Sequence, residues 1–591
     1  VLIAVSATGQ TVTSLRGEGE AALQDGNYFS SVELFRRALE LNAKDLRSNR
    51  GLAEAYYWLG EYDQAEFYAT QARTLDRRNP GVLTLSGRIA IGLGDLDAAE
   101  GFFGSALAIE PNNAEAEIGL AELALAAGKS LDAVRALERA LQIRPEYRKA
   151  LLSLVLVYEE AGETETAERY LELALESHGD LPETHILAAE FYLRRGNITE
   201  AARQARVAQS LDAGNAAAPR IRAISAILDG NYDEVIVTTE ELLRVRRDDP
   251  VIWYLRAIAL LNAGRTDDGM TAFRSALRFN PDNEIIRLVA EETALREYPM
   301  DAPVRAELAT HVTEKAVQLA DEFQYRKALS YYQRALRLTP FDNGLRREYA
   351  ELHRTMGNSA TYLSELKVIA DSGDASTDLQ TRIAVFENSL SNSVATRWNI
   401  DQFTLRRDRT AISLYLIAGA EPTEYPLSGE PLLAAVGRTL GSLARVSVTG
   451  TGLVEDYAEA FSEARSEGVT FFILLGFEDA PRSFGVRGSL YVARTGTPVA
   501  SLSAVRTGPD RISDVLVALS RRVEGLFPLR TAVIARRGQR VVVDAGARDG
   551  LEREAELRIL PGSTLLVEPG TLGYGYDAAE RQAVVAFIES I

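Results

Sequence analysis

Cysteine is absent from all 591 residues. Thiolate nucleophiles, disulfides, thiolate metal sites and cysteine-linked lipid anchors are therefore excluded within this chain. Histidine is scarce, with four residues, which leaves little imidazole for metal binding or general-base work. Positive charge is in deficit: 65 basic residues face 84 acidic ones, giving a formal net charge of −19 and a pI near 5.0. Long-range repulsion then opposes encounter with a nucleic-acid backbone or an anionic lipid surface. No stretch approaches the ~18–20 uninterrupted apolar residues of a membrane-spanning helix. No GxSxG elbow, HExxH helix or EF-hand loop occurs. What is present is globular material, 46% hydrophobic and 25% charged, long enough for about three to five domains.

The dominant pattern is a ruler of glycines. Gly26, Gly60, Gly94, Gly128, Gly162, Gly196, Gly230 and Gly264 stand at a strict 34-residue interval, each between two segments of helical period. Each follows an apolar-periodic run and precedes a polar residue, as in LGEYDQA (59–65), which suits a helix end that needs positive φ. Small residues recur at fixed offsets: Ala53, Ala121 and Ala189 seven residues before the glycine, Ala65, Ala99 and Ala133 five after, Ala72, Ala106 and Ala140 twelve after. They allow close approach of neighbouring helices.

This pattern resembles the tetratricopeptide repeat, including Pro111, Pro145 and Pro281 closing repeats in ALAIEPNN, ALQIRP and ALRFNP. The resemblance implies eight repeats over residues 12–281. Tyr298 stands where the next glycine would fall, so an irregular repeat with a 25-residue insertion and two further repeats are expected over 282–368, the register resuming at FQYRKALSYYQRALRLTP (323–340) and Gly357. A helical linker is expected over 369–408. Stacked repeats bury their apolar faces only against one another and leave a long surface lined by first helices, a surface suited to binding polypeptide. By the family's register the inward-facing residues include Glu20, Thr84, Glu122, Glu190 and Tyr254. The candidate partner-binding set is Arg16, Arg47, Arg50, Glu54, Tyr57, Trp58 and Arg88. Arg47, Arg50 and Arg88 would hold a carboxylate or backbone carbonyls, and Tyr57 and Trp58 would stack on a side chain. The competing reading has the charges solvated and both aromatics packed between repeats.

After residue 409 the period changes to that of strands and helices in alternation. TAISLYLIAG (410–419), RVSVTG (445–450) and VTFFILLGF (469–477) read as strands. PLLAAVGRTLGSLA (431–444), a segment over 454–468 closed by Gly468, and 510–527 read as helices; SFGVRGSLYVART and PVASLSAVRT form a hairpin through Gly496. The sum is an α/β sandwich with a mixed sheet over 409–528. The segment EARSEGVTFFILLGF, followed by the hairpin carrying ARTGTPVAS, resembles the α/β domain shared by the N-terminal part of TolB, the curli-export lipoprotein and lipoprotein activators of penicillin-binding proteins. AVIARRGQRVVVDAGARDGLEREAELRIL (532–560) resembles the small β-barrel that ends flagellar assembly protein T, with a hairpin expected at Asp549-Gly550. That family also carries a TolB-like domain before its barrel. The fold expected is mainly α: a tetratricopeptide-type α-solenoid followed by an α/β domain and a small β-barrel-like domain over 529–591.

Other motifs carry less. AAGKS (126–130) lacks the upstream glycine of a phosphate loop, and its Gly128 belongs to the ruler. GTGLVE (450–455) lacks the third glycine of a dinucleotide loop and is expected to be a turn. His178 and His185, with Asp180 or Glu183, straddle a repeat boundary and make a poor metal site. The opening VLIAVSATGQ, apolar and ending in a small-x-small triplet, reads as the tail of a signal peptide (1–11), with a buried strand as the alternative. The function expected is a non-catalytic protein–protein interaction scaffold of the bacterial cell envelope, with protein or peptide partners and no cofactor or metal. The alternatives are a periplasmic small-ligand sensor acting through the α/β domain and a cytosolic assembly factor.

Overall fold

A computed structural model describes residues 11–373, 376–391, 397–400, 409–443, 445–480, 483–527 and 533–543, with four short strands beyond. Residues 1–10 of the expected signal-peptide tail (1–11) and the Asp549-Gly550 turn lie outside the described residues. The chain divides into two compact units: Val1–Ala188 with Val207–Gly214, and Ala189–Arg206 with Asn215–Ile591.

Helix pairs follow the 34-residue ruler from Val12–Gln24 and Tyr28–Leu41 to Pro250–Asn262 and Thr266–Phe279. All eight ruler glycines have φ between +70° and +80°, the left-handed conformation in which a Cβ clashes with the backbone. At Gly60 the helix end is closed by Gly60 N–H donating to the Tyr57 carbonyl and Glu61 N–H to that of Tyr56, both at 3.0 Å. Helix starts carry a second periodic signal, an Asp or Asn N-cap: Asp45, Asn79, Asn113, Asp249, Asn283 and Asp342 each accept a backbone N–H of the first turn. First helices also touch one another directly, Val12–Gln24 with Leu46–Leu59 and Pro80–Leu93 with Ala114–Ala126, and so form one layer.

Within the first unit the repeat core alternates large and small. Phe35 lies between Gly19 and Gly51, and Phe103 between Gly87 and Gly119; a Cβ on Gly51 would sit 2.4 Å from the Phe35 ring and one on Gly119 2.1 Å from the Phe103 ring. In repeat two, between them, the same positions hold Ala69, Ala53 and Leu85. Volume is thus conserved while its source moves from one helix to the next.

The expected break after repeat eight is a helix without a partner. Glu284–Glu297 occupies a first-helix position, but Tyr298 is extended at φ −120° and cannot make the tight turn. The chain runs directly into the 19-residue Pro303–Asp321 helix, which pairs with Tyr325–Leu338. Tyr325–Leu338 also packs on the unpaired helix, where Arg334 grips Glu291 through two bonds of 2.8 and 3.0 Å and a third to Glu284. The pairs then continue with Asn343–Thr355 and Ser359–Asp371, and Thr377–Ser391 packs on the last of these.

The turn into Tyr325–Leu338 has Phe323 at the glycine position, 34 residues before Gly357, with φ +61° and the ring 77% exposed. A left-handed non-glycine residue costs about 1–2 kcal/mol. Phe323→Gly should therefore raise the unfolding free energy of the second unit by about 1 kcal/mol, checked by the midpoint shift in urea. An unchanged or lowered midpoint would contradict this.

Residues 409–527 form the expected mixed sheet. Five strands, β1 (Thr410–Ile417), β2 (Val446–Val454), β3 (Phe471–Ala480), β4 (Ser483–Val492) and β5 (Pro498–Thr507), run in the order β2-β1-β3-β4-β5. β1 is parallel to β2 and β3, while β4 and β5 are antiparallel additions. Tyr415, Phe472 and Leu474 pack under the Tyr457–Glu467 helix on one face. Ile412, Leu414 and Leu416 alternate with them, and on that face lie the Gly429–Gly441 and Arg511–Leu526 helices. Burial on both faces explains why β1 and β3 read as continuous apolar runs. GTGLV belongs to β2 rather than to the expected turn: a Cβ on Gly450 would meet the Glu467 carboxylate at 2.6 Å, so glycine there admits a close neighbour. Beyond the sheet, Val533–Arg537 and Arg540–Val543 form a hairpin closed at Gly538 (φ +62°), and Glu556–Ile559 pairs antiparallel with Val584–Phe587.

Candidate repeat-face binding site

In the first unit the candidate residues sort into three environments. Arg16 is committed in cis, its guanidinium 3.4 Å from Asp45 and 4.0 Å from Glu20. Arg88 is committed as well, 2.9 Å from Glu115 and 3.2 Å from Glu122. Burial alone would lower the Arg88 pKa, but the two carboxylates outweigh it and raise it. Glu115 is further held by Lys149 at 3.7 Å and by the Tyr147 hydroxyl. In this structure the Arg88 charge ties repeat three to repeat four.

Trp58, although half exposed, stacks on Tyr28 of the preceding repeat with ring centroids 6.0 Å apart and planes 11° from parallel. Tyr57 meets Trp58 edge-on at 5.3 Å and Tyr62 at 6.0 Å. Burial raises the Tyr57 pKa, with Glu122 adding to the rise and Arg88 opposing it, so its hydroxyl stays a donor. The packing alternative weighed for Trp58 is the one observed. Arg47 and Arg50 differ from the rest: both are exposed, and among the described residues neither lies in an ion pair. Glu54 is partly buried beside them. The two histidine rings each bond a backbone carbonyl, His185 that of Gly179 at 2.9 Å and His178 that of Glu146 at 2.5 Å.

In the second unit the first helices of the repeats are in contact with the α/β domain. Tyr254, fully buried, donates its hydroxyl to the Pro426 carbonyl at 2.7 Å and meets the Tyr425 ring edge-on at 5.2 Å. Asn283 donates to the Tyr425 hydroxyl at 2.8 Å. Burial pushes the Tyr425 phenol up to about 12 and that of Tyr254 well above its ordinary value, so both remain protonated. Arg220 pairs with Glu424 at 3.3 Å, and Glu292 takes Arg438 at 2.6 Å and Arg337 at 2.8 Å. Burial would raise the Glu292 pKa, but the two guanidiniums lower it. Lys315 meets Asp510 at 3.0 Å, Arg326 meets Glu524 at 3.3 Å, and Lys327 pairs with Asp514.

These contacts give the register of the face. Arg220 and Tyr254 stand six 34-residue periods after Arg16 and Arg50, and Glu292 seven periods after Glu54. The helix position that holds a chain segment in the second unit is the position of Arg16 and Arg50 in the first. Tyr254 belongs to the inward-facing set expected from the sequence. Arg220, Asn283 and Glu292 were not singled out; their 34-residue phase is the signal that finds them.

Family models described as tetratricopeptide repeat match residues 22–89, 90–130, 124–183, 182–206 and 240–284. A model described as the second domain of its family matches 409–525. Among curated proteins no sequence matches. Among solved structures the chain is similar to MamA, at 22% identity over 29% of this chain and 94% of that one with TM-score 0.23. It is similar to pilF of Pseudomonas aeruginosa at 19% identity over 36% and 96% with TM-score 0.28, and to yeast Tom70 at 14% over 66% and 97% with TM-score 0.30. Tetratricopeptide-repeat models thus cover residues 22–206 and 240–284, where the chain is built of helical pairs.

Proposed function

We propose that this chain is a non-catalytic protein–protein interaction scaffold of the bacterial cell envelope, whose first unit binds a polypeptide segment across its first-helix layer. Arg47 and Arg50 supply the charge for it, and Glu54 and Tyr57 border them. The observation that carries the reading is the shared register: in the second unit, residues in phase with Arg50 already hold a chain segment through a hydroxyl and a ring. A segment docked at Arg47 and Arg50 would bring carboxylates or backbone carbonyls, since a forked guanidinium pairs best with planar acceptors. An envelope setting is supported by the likeness of 409–528 to the α/β domain of TolB and the curli-export lipoprotein. Among the described residues no helix is long and apolar enough to cross a membrane.

The test is a photo-reactive residue at position 57 of the full-length protein in its native cell. An adduct with another polypeptide is expected, and its absence would count against the reading.

A further inference from the structure

The second unit's first-helix layer is covered by the loop Glu421–Ser428, and three features of that cover point the same way. Its charges are largely sorted: Arg220, Lys315, Arg326 and Lys327 on the repeats meet Glu424, Asp510, Glu524 and Asp514 on the α/β domain, and only Glu292 with Arg438, among the described pairs, runs the other way. All but one of these cations and all but one of the anions are less than 40% exposed, so the pairs are only partly screened. The anchor is small, Tyr425 and Pro426 against Tyr254 and Asn283. And the docked loop carries unrelieved costs: Leu427 is left-handed at φ +63°, and Ser428 Oγ is buried with no hydrogen-bond partner among the described residues. Strain and orphaned polar atoms persist where a contact is kept for something other than stability.

We propose that the loop Glu421–Ser428 is a built-in occupant of the repeat face formed by Arg220, Tyr254 and Asn283, and that the α/β domain is a releasable plug, displaced by a segment of another protein offering the same chemistry. That chemistry is a carboxylate followed by an aromatic ring and a proline carbonyl, as in Glu424-Tyr425-Pro426. The inference rests on the repeat face being a binding surface, but it concerns the second unit and is read independently of position 57.

Because the chain holds no cysteine, two can be introduced cleanly for dye labelling of the full-length protein, at Thr271 on a repeat and Arg494 on the domain, both exposed. Single-molecule energy transfer is then recorded at low salt, in concentrated NaCl, in the Glu424→Lys/Asp514→Lys/Glu524→Lys variant, and with a synthetic peptide of residues 419–430. High salt and the variant should each raise the ratio of released to docked molecules about tenfold, with circular dichroism unchanged. The peptide should raise the same ratio in a saturable way, and less so in Tyr254→Ala, which loses both ring and hydroxyl. One high-transfer population in salt and in the variant overturns the proposal. So does release by both with no response to the peptide, which would deny the loop the role of ligand.

Discussion

Replacing Arg334 with Met should destabilise the second unit by about 3–5 kcal/mol, because it removes one partner of a buried ionic cluster and leaves the others in place. Arg334 and Glu291 are 8% and 4% exposed in their side chains, and Glu284 14%. The guanidinium meets Glu291 through two parallel bonds, so its loss strands two carboxylates against apolar surroundings. Arg287, also buried, lies near both, but burial lowers its own pKa and its guanidinium is used on the Pro281 carbonyl at 2.6 Å. The cluster is where the unpaired Glu284–Glu297 helix is held, so the loss should appear in the unfolding transition of the second unit and leave that of the first unchanged. Combining Arg334→Met with Glu284→Gln and Glu291→Leu should recover most of it, since removing both sides of a buried pair costs far less than removing one. A loss under about 1 kcal/mol in the single variant would contradict the account of the break.

In the first unit the largest effect is expected at Phe103. Phe103→Ala should cost about 3–5 kcal/mol, the range for emptying a packed aromatic site. Gly119→Leu alone should also destabilise strongly, since even a Cβ there would lie 2.1 Å from the ring. The two together recreate repeat two, where Ala69 faces Leu85, and should be more stable than either alone. A double variant as unstable as the sum of the singles would mean that the alternation of large and small residues is incidental. The cycle is read from denaturation midpoints of the first unit's transition.

Much of this architecture is legible in the residues. The glycine ruler places the turns because only glycine adopts φ near +75° without strain; its phase is lost at Tyr298, and the 34-residue spacing resumes 25 residues later between Phe323, where the side chain hides the signal, and Gly357. β1 and β3 are recognisable because burial on two faces demands unbroken apolar runs. GTGLV was less legible: two glycines suggest a turn, and the Glu467 carboxylate against Gly450 accounts for the first of them inside a strand. Of the inward-facing set, Tyr254 is the residue that meets a chain segment, donating to the Pro426 carbonyl. Its partner Tyr425 lies 171 residues away, and nothing local marks a loop tyrosine as an anchor. Glu424, Asp514 and Glu524 read as ordinary solvated carboxylates until the Arg220, Lys327 and Arg326 cations are seen opposite them. Trp58 and Arg88 show the converse: residue types enriched at binding hot spots are here used between repeats.

The central claim is that the first unit's helix layer receives another polypeptide at Arg47 and Arg50. Photo-cross-linking from position 57 in the native cell, with and without Arg47→Glu and Arg50→Glu, tests it most directly. The account predicts one polypeptide adduct whose yield falls about tenfold on charge reversal while the melting curve stays in place, as for the loss of two guanidinium–carboxylate contacts. An adduct of undiminished yield in the reversed protein, or cross-links only within the chain itself, would contradict it.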